Sequence, residues 1–244
     1  MMVRWTNLAG GAAAAAVGAI AAVAALHGLH GVGSVPNDAA TGAAVRAYLL
    51  EHPEVIPEAM DKLQDKQNAA RVAQSRPAIE TPFAGAIAGN PNGDVTLVEY
   101  FDYACGYCRA SVADVDKLVA ADPRVRVVFK ELPILSPESD RAARLSLAAA
   151  KAGKFLAYHH ALYGEGALDD AKIDKAAREA GLDPAAAVSG ADIDREIETN
   201  LTTARALRLS GTPTFVVGDT VLNGAVGYDT LKDAVAKARA DRKA

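Results

Sequence analysis

Cysteine is scarce in this chain, which has only Cys105 and Cys108 among its 244 residues. Half of a zinc site would need two further ligands at metal-binding spacing, and no other cysteine can supply them. The histidines offer no H-x3-5-H pair either; they are His27, His30, His52, His159 and His160. A purely structural disulfide would close a very small loop and stabilise the fold little, because the entropic gain grows with loop length. The sequence therefore disfavours both a zinc site and a structural disulfide.

Positive charge is not in excess either, since the formal net charge is -4. Nucleic-acid-binding domains present clustered positive charge, so this chain is not expected to bind nucleic acid. Tryptophan occurs once, as Trp5, and there is no internal repeat at solenoid period. The length fits one domain with extensions, and the composition is that of an Ala-rich α/β protein.

The two cysteines lie where a predicted strand meets a predicted helix. Residues 95–101 form an apolar, β-branched and aromatic run after a turn signal, which indicates a buried strand. Residues 109–121 place valine and leucine on one helical face and stop at Asp122-Pro123. A helix N-terminus carries partial positive charge and free N–H groups, so it favours a thiolate over a thiol. C-x-x-C beside a βα unit is a redox signature, in which one cysteine attacks a disulfide and its neighbour resolves the mixed disulfide.

The first 26 residues are predicted to be a targeting segment. Arg4 precedes an uncharged run from Leu8 to Leu26, and Ala22-Val23-Ala24 offers a small-residue cleavage site. The run is also about the length that spans a bilayer, so residues 1–26 are either a signal peptide or a membrane anchor. In both cases the remainder would be exported to an oxidising compartment, where a dithiol has disulfide substrates. Residues 27–37 are predicted to be a linker.

A helical arm is predicted for residues 38–75. Apolar residues recur at helical spacing on both sides of a break at His52-Pro53. Two interpretations stay open: the arm docks on the core of its own chain, or its apolar face pairs with another copy of the protein. Residues 76–94 are expected to be a linker leading into the catalytic domain, with one short strand near Ala86-Ile87.

The rest of the chain alternates between strand and helix. A second strand at 124–130 would run parallel to the first through a right-handed crossover. An all-helical insertion follows at about 138–209, and two short strands joined by Gly218-Asp219 come before a final helix. This order predicts an α/β fold with a mixed four-stranded sheet and helices on its faces. The adjacent His159 and His160 are interpreted as a packed, hydrogen-bonded helix face rather than a catalytic site.

Glu99 is the charged residue that interrupts the first predicted strand, six positions before Cys105. One interpretation is a buried carboxylate, its pKa raised by desolvation, that accepts and delivers the proton of Cys108. The alternative is a carboxylate at the strand edge, paired with Lys130 on the neighbouring strand. The strand position favours the first interpretation. Asp102 is interpreted as a solvated or capping residue.

Two segments carry a family resemblance: residues 101–108, FDYACGYC, and residues 211–215, GTPTF. Together with the element order, they resemble the exported DsbA-like thioredoxin-fold oxidoreductases. The resemblance covers about Val95 to Ala240 and implies a thioredoxin fold with the helical insertion. The segment 51–56, EHPEVI, is similar to the arm of the ScsC- and Com1-like branch. In some members of that branch the arm drives oligomerisation.

The resemblance also implies roles for single residues. Cys105 would be the exposed nucleophile and Cys108 the buried resolving thiol. Thr212-Pro213 matches the family's cis-proline loop, which binds the substrate chain through backbone hydrogen bonds, as in strand addition. Gly106-Tyr107 stands where the strongest oxidants have Pro-His and also occurs in isomerase-like members, so oxidase and isomerase or reductase activity stay open. The aromatic ring of Tyr107 offers a surface to substrate side chains.

The expected activity is therefore thiol–disulfide exchange with cysteine-containing exported proteins. A membrane thiol–disulfide protein would be the redox partner, and no metal or organic cofactor is needed. An alternative is a binding protein, either a chaperone or a copper-binding factor that uses the two thiolates, since soft thiolates suit Cu(I).

Overall fold

The computed structural model describes residues 39–185 and 190–242. The predicted leader, residues 1–26, and the predicted linker, residues 27–37, lie outside the described residues. Within those described ranges, none of the helices is both long enough and apolar enough to cross a membrane. The chain divides into two compact units, one ending at Ala59 and the other beginning at Met60.

The first unit contains helix α1, Ala39–Glu51, and the start of helix α2, Val55–Glu80. The two helices are separated at the predicted break, because a proline disfavours helical conformation in the residue before it. Next to Pro53, Nδ1 of His52 lies 3.4 Å from Oε1 of Glu54. Every residue of α1 stays at least partly exposed, so this helix presents its apolar side chains to solvent.

Helix α2 continues past residue 75, where the sequence pattern placed the end of the arm. Pro77 lies inside the helix. Val72 and Ile79 are fully buried in an apolar cluster, and Nη1 of Arg76 lies 2.7 Å from Oε1 of Glu80 one turn on. Burial of these side chains offsets the hydrogen bond that a proline removes from a helix interior. Residues 76–80 are therefore helix where a linker was expected.

Among the described residues, the sheet has five strands in the order β1–β3–β2–β4–β5. In chain order they are Ile87–Gly89, Val95–Phe101, Val125–Glu131, Thr214–Val217 and Thr220–Asn223. β2 and β3 are parallel and joined by helix α3, Gly106–Ala121, and the other neighbouring pairs are antiparallel. The predicted α/β class, thioredoxin fold and parallel crossover are confirmed. The predicted count of four is short by one, because the three-residue β1 pairs with the outer edge of β3.

In the described part of the chain, four helices lie between β3 and β4, where the helical insertion was predicted. They are α4, Pro137–Lys151; α5, Phe155–Gly164; α6, Asp170–Glu179; and α7, Ala191–Leu207. Ser136 caps α4 and Asp169 caps α6, each by accepting a hydrogen bond from the backbone N–H three residues on. Lys130 of β3 is buried and lies 2.9 Å from Glu196 of α7, which ties the insertion to the sheet.

Both faces of the sheet are covered. Val95, Leu97 and Phe101 of β2 belong to an apolar cluster with residues of α3, α4, α5 and the last helix α8, Gly227–Asp241. Val98 and Tyr100 belong to a second cluster with residues of α2 and α7. Because side chains alternate along a strand, Glu99 lies on the same face as Leu97 and Phe101.

Candidate active site

Cys105 is the N-cap residue of α3, at the strand-to-helix junction that the sequence predicts. Its backbone is extended, with φ -79° and ψ 114°, and its Sγ accepts a hydrogen bond from the backbone N–H of Cys108 at 3.3 Å. A cap side chain usually satisfies one of the free N–H groups of the first helical turn. Here the sulfur does so, and the positive end of the helix dipole therefore lies against it.

Cys108 lies one turn further along and is more deeply buried. It is 1% exposed, against 5% for Cys105, and both are free thiols. Burial raises the pKa of the Cys108 thiol; Cys105 and Glu99 raise it further, while a backbone hydrogen bond with Asp102 opposes the shift. A thiol is a poor nucleophile compared with its thiolate, so Cys108 needs a nearby base before it can attack.

The loop before β4 covers Cys105. The Thr212–Pro213 peptide bond is cis, and Sγ of Cys105 donates a hydrogen bond to the carbonyl oxygen of Thr212 at 3.2 Å. This contact corrects the expectation of an exposed cysteine: the sulfur faces the loop rather than open solvent. Oγ1 of Thr212 is buried and has no hydrogen-bond partner among the described residues. The fold thus brings Thr212 and Pro213 to the dithiol across about a hundred residues of sequence.

The two residues between the cysteines face solvent. Tyr107 is 72% exposed, and a Cβ added at Gly106 would meet no atom within 4 Å. Neither residue carries a charge. These two residues therefore place no charge beside Cys105, and the ring of Tyr107 is exposed there.

Glu99 is buried on the sheet face that carries the cysteines. It is level with Phe129 of β3 and with Phe215 of β4, and only 3% of it is exposed. Burial, with a smaller repulsion from Asp116, raises the pKa of Glu99 to about 8. A carboxyl group with that pKa can both hold and release a proton near neutral pH.

The alternative pairing of Glu99 with Lys130 is wrong. Lys130 is level with Tyr100 in the β2–β3 register, so its side chain lies on the opposite face of the sheet. Nζ of Lys130 instead donates to Oε1 of Glu196 at 2.9 Å and to the carbonyl oxygen of Thr81 at 2.8 Å. No cation therefore neutralises Glu99 from the neighbouring strand.

Asp102 was expected to be solvated or to cap a helix; it is instead buried in the loop between β2 and α3, and the caps of α3 and α4 are Cys105 and Ser136. Asp102 is 1% exposed. Its carboxylate accepts four hydrogen bonds: from the backbone N–H of Ala104, Ile134 and Leu135 at 2.8, 2.8 and 3.0 Å, and from Oγ of Ser139 at 2.6 Å. A buried carboxylate is stable only when such donors replace its lost hydration.

A buried polar cluster beside the dithiol was missed by the sequence reasoning. The Tyr103 hydroxyl lies 2.9 Å from Oγ of Ser146 and 3.2 Å from Nδ1 of His159. Glu131 is fully buried at the end of β3; burial raises its pKa well above the ordinary value, and its Oε1 has no hydrogen-bond partner among the described residues. Its place at the end of the apolar run of β3, whose last five residues are all buried, is the signal that could have identified it.

His159 is the packed, hydrogen-bonded histidine that was predicted, whereas His160 is exposed and lies 3.1 Å from Asp116. Burial, with a smaller effect of His160, lowers the pKa of His159 to about 3. The imidazole is therefore neutral at physiological pH. It lies among aromatic rings with centroids 4.9 to 5.7 Å away, those of Phe101, Tyr103, Phe129, Phe155 and Tyr163.

Two family models match the chain. The DSBA-like thioredoxin domain covers residues 96–236, and the copper resistance protein ScsC N-terminal domain covers residues 39–70. The chain belongs to the DsbA-like thioredoxin family. This family consists generally of thiol–disulfide oxidoreductases, and the two matched domains together fit its ScsC-like branch.

Solved structures of relatives have the same fold. A thioredoxin-like oxidoreductase from Silicibacter pomeroyi DSS-3 is 42% identical, with a TM-score of 0.65 over 69% of this chain and 98% of its own. A linker-deletion mutant of Proteus mirabilis ScsC is 28% identical, with a TM-score of 0.70; the match covers 85% of this chain and 99% of the ScsC chain. The thiol-disulfide exchange protein alpha-DsbA2 of Wolbachia pipientis is 26% identical, with a TM-score of 0.66; the match covers 72% of this chain and 97% of the Wolbachia chain.

Curated relatives are longer proteins. A Na(+)/H(+) antiporter NhaA of Herminiimonas arsenicoxydans is 32% identical over 150 residues, which are 59% of this chain and 24% of the antiporter. The antiporter NhaA 3 of Salinispora tropica is 28% identical over 172 residues, 64% of this chain and 25% of the antiporter. The chain thus spans about a quarter of the length of these two relatives.

Proposed function

We propose that the chain is an exported thiol–disulfide oxidoreductase that exchanges disulfides with cysteine-containing proteins through a mixed disulfide at Cys105. The observation that carries this proposal is the geometry at the start of α3. Sγ of Cys105 takes the N-cap position and lies 3.2 Å from the Thr212 carbonyl, with the buried Cys108 one turn behind it. Exchange requires one sulfur that forms the mixed disulfide with the substrate and a second sulfur that resolves this intermediate.

In the oxidising direction, a substrate thiolate attacks Sγ of Cys105 in the 105–108 disulfide. The bond between the two cysteines breaks, the substrate–Cys105 bond forms, and the electron pair leaves on Sγ of Cys108. Glu99 protonates that sulfur, because an unpaired buried thiolate is unstable. A second substrate thiolate then attacks the substrate sulfur and releases Cys105, so the substrate gains a disulfide and the protein is reduced.

In the reducing direction the same steps run backwards. The Cys105 thiolate attacks a substrate disulfide, and one substrate sulfur leaves as a thiolate. Cys108 then gives its proton to the Glu99 carboxylate and attacks Sγ of Cys105, which releases the second substrate thiolate. The reduction potential of the couple selects the direction: a value near -120 mV would favour the oxidase, and one near -270 mV the reductase.

Thr212 and Pro213 are proposed to bind the substrate chain. The Thr212 carbonyl oxygen accepts the Cys105 S–H in the resting protein, and an approaching substrate sulfur would displace this contact. An extended substrate segment then adds to the loop by backbone hydrogen bonds, as in strand addition. Gly106 leaves room for the approach, and Tyr107 offers its ring to substrate side chains.

A Cys108→Ser variant should accumulate the mixed disulfide, because the intermediate can then no longer be resolved from within the protein. Incubation of the reduced variant with a disulfide-containing peptide should add the mass of one peptide thiol at Cys105, measured by mass spectrometry of the non-reduced protein. A Cys105→Ser control should form no adduct, since Cys108 is 1% exposed. An adduct on Cys108, or none in either variant, would contradict the proposal.

We further propose that the arm assembles copies of the chain. The matched ScsC N-terminal domain covers residues 39–70, which favours this interpretation over docking on the chain's own core. Large apolar side chains of the arm are about half exposed or more. They are Val45, Tyr48, Leu50, Ile56, Met60 and Leu63. Exposure of this kind commonly marks a surface that is covered by a partner.

Polar substitution in the arm should therefore lower the mass of the particle in solution. Light scattering of the parent should give a multiple of the 25.2 kDa chain mass, allowing for any leader that is removed. An Ile56→Ser/Leu63→Ser variant should shift toward the single chain. Leu156→Ser, which changes an exposed leucine outside the arm, is the matched control and should assemble like the parent. A parent that is a single chain at all concentrations rules out this part of the proposal.

A copper-binding function is the second candidate, favoured by the matched copper resistance protein ScsC N-terminal domain. Two thiolates three residues apart suit Cu(I), although residues 39–185 and 190–242 contain no cluster of three or more His, Cys, Asp or Glu side chains arranged for a metal. A chaperone that holds clients without redox chemistry is a related alternative. If client protection survives in Cys105→Ser while exchange is lost, holding clients is the function. Cu(I) binding by the two thiolates should instead be found in the reduced parent and be lost in Cys105→Ser.

Export and a membrane partner complete the proposal. The uncharged run from Leu8 to Leu26 supports secretion or tethering, and one similar structure is described as a periplasmic thioredoxin-like protein from Salmonella enterica. In that compartment a membrane thiol–disulfide protein would reset the dithiol after each turnover.

A further inference from the structure

The backbone of Asp102 contacts both cysteines of the motif. Its carbonyl oxygen accepts the N–H of Cys105 at 3.0 Å and the hydroxyl of Tyr163 at 3.0 Å. Burial raises the pKa of the Cys108 thiol, and a hydrogen bond with the backbone of Asp102 acts in the opposite direction. A bond that lowers the pKa of a thiol stabilises its thiolate, so the group that Asp102 presents to this sulfur is its N–H.

The peptide group that carries this N–H is fixed on both sides. The Phe101 carbonyl belongs to the same planar group and accepts the N–H of Leu132 at 2.8 Å. On the other side, the Asp102 carboxylate accepts four hydrogen bonds of 2.6 to 3.0 Å. Three of their donors lie between Ile134 and Ser139, in the loop after β3 and the first turn of α4. The N–H of Asp102 therefore cannot turn away from Cys108 without breaking bonds to a second segment of the chain.

Cys108 needs a fixed donor of this kind. Its sulfur is 1% exposed, so water stabilises a negative charge there poorly. Glu99 can exchange the proton of Cys108, but the charge left on the sulfur still requires a partner. A donor that raises the thiolate fraction also speeds attack by that thiolate, because nucleophilicity falls less steeply than the fraction rises while the pKa lies above the ambient pH. Donors held in place before the reaction stabilise such a charge without having to reorient.

We propose that Asp102 is a positioning residue for the resolving step, because its carboxylate holds its own N–H against the sulfur of Cys108. The inference rests on the proposed exchange at Cys105. In the reducing direction, Glu99 takes the proton of Cys108 and the Cys108 thiolate attacks Sγ of Cys105. The bond between Cys105 and the client sulfur breaks, and the electron pair leaves on the client sulfur. The Asp102 N–H stabilises the Cys108 thiolate before this attack, and in the oxidising direction it stabilises the same thiolate as the leaving group.

Quenched-flow mass spectrometry of the reduced full chain with a disulfide peptide measures the two steps separately. Excess peptide makes attack faster than resolution, so the mixed disulfide accumulates and then decays to the oxidised protein. In Asp102→Asn this decay should be about 5-fold slower, because the amide sets an NH2 group against at least one N–H that the carboxylate accepted. The attack rate should change by less than about 2-fold. The Cys105 sulfur is held by the Cys108 N–H and the Thr212 carbonyl, and Asp102 supplies neither group.

Two further variants separate positioning from a loss of stability. Ser139→Ala removes one of the four bonds to the carboxylate and should slow the decay by about 2-fold; it decides the matter if Asp102→Asn does not fold. Asp169→Ala removes the cap of α6, destabilises the chain without touching Asp102, and should keep both parental rates.

The sign of the change excludes a purely electrostatic role of Asp102. If the carboxylate acted through its charge, Asp102→Asn would remove a repulsion on the Cys108 thiolate and speed the decay. A faster decay, an unchanged decay in Asp102→Asn and Ser139→Ala, or equal slowing of attack and decay would each overturn the inference. If the parent forms no mixed disulfide with the peptide, it is the proposed function that fails.

Discussion

Replacement of Glu99 by glutamine should stabilise the protein by roughly 4 kcal/mol at about pH 8 and by less than about 1 kcal/mol at pH 5. The pKa of Glu99 is raised from its ordinary value of 4.5 to about 8 in the fold, mainly by burial. Between these two values the folded chain holds a proton that the unfolded chain has lost. The stability of the parent therefore falls with rising pH by about 1.4 kcal/mol per unit relative to the variant.

Chemical unfolding of both proteins across this pH range measures the difference. Glu198→Gln is a suitable control, because Glu198 is largely exposed and its replacement should change the free energy of unfolding little. If the Glu99→Gln and parent curves stay parallel at every pH, Glu99 is ionised in the fold and cannot act as the proposed proton carrier.

The same variant should exchange disulfides about 100-fold more slowly near pH 8, since proton transfer by a positioned group typically contributes that much or more. If a residue served only to stabilise the fold, its replacement would lower the stability and leave the exchange rate unchanged. Stopped-flow measurement of the exchange with a peptide distinguishes the two. A stabilised variant with full activity would show that Glu99 has no role in the chemistry.

Replacement of His159 by phenylalanine should make the protein markedly more resistant to acid. Burial lowers the pKa of His159 from its ordinary 6.5 to about 3. As pH falls below 6.5, His159 binds a proton in the unfolded chain but not in the folded chain. The free energy of unfolding of the parent therefore falls by about 3 kcal/mol between pH 7 and pH 4 from this group alone. Phenylalanine suits the surrounding rings and has no such proton to gain.

At neutral pH the phenylalanine variant should be less stable by about 1 kcal/mol, because Tyr103 loses one hydrogen-bond partner but keeps Ser146. Thermal or denaturant unfolding at pH 7 and at pH 4 should show the order of stability reversing. His160→Phe changes the exposed neighbour and should not reproduce the reversal. If the parent and the His159→Phe variant lose the same stability on acidification, the imidazole is accessible to protons in the fold.

The local parts of the fold could be predicted from sequence. Strand β2, the cysteine pair and the start of α3 are contiguous. The strand and the helix each show their own hydrophobic pattern and are bounded by turn or helix-ending residues. The short strand expected near Ala86-Ile87 is present as β1, Ile87–Gly89. The end of α2 was harder. Pro77 indicates a helix end by itself, and only the burial of Val72 and Ile79 carries the helix beyond it.

The candidate active site also has features that the sequence predicted and features that only the tertiary structure shows. The expected burial of Glu99 followed from a carboxylate in an apolar strand, and the choice between its two partners needed the β2–β3 register. Three of the four donors to the Asp102 carboxylate lie more than thirty residues away in sequence, so its burial was not predictable from its neighbours. The cover over Cys105 likewise comes from Thr212, at the far end of the helical insertion. The catalytic roles of these residues stay predictions that the variants above test.

The amino-acid sequence by itself determined the α/β class, the redox motif and its place at a helix N-terminus, because these depend on residues within one or two turns of each other. Tertiary structure alone decided which charges are buried, which loops cover the sulfur and which apolar side chains stay exposed. The physical reason is that desolvation and hydrogen bonding depend on what surrounds a group in space, and segments far apart in the chain supply those surroundings.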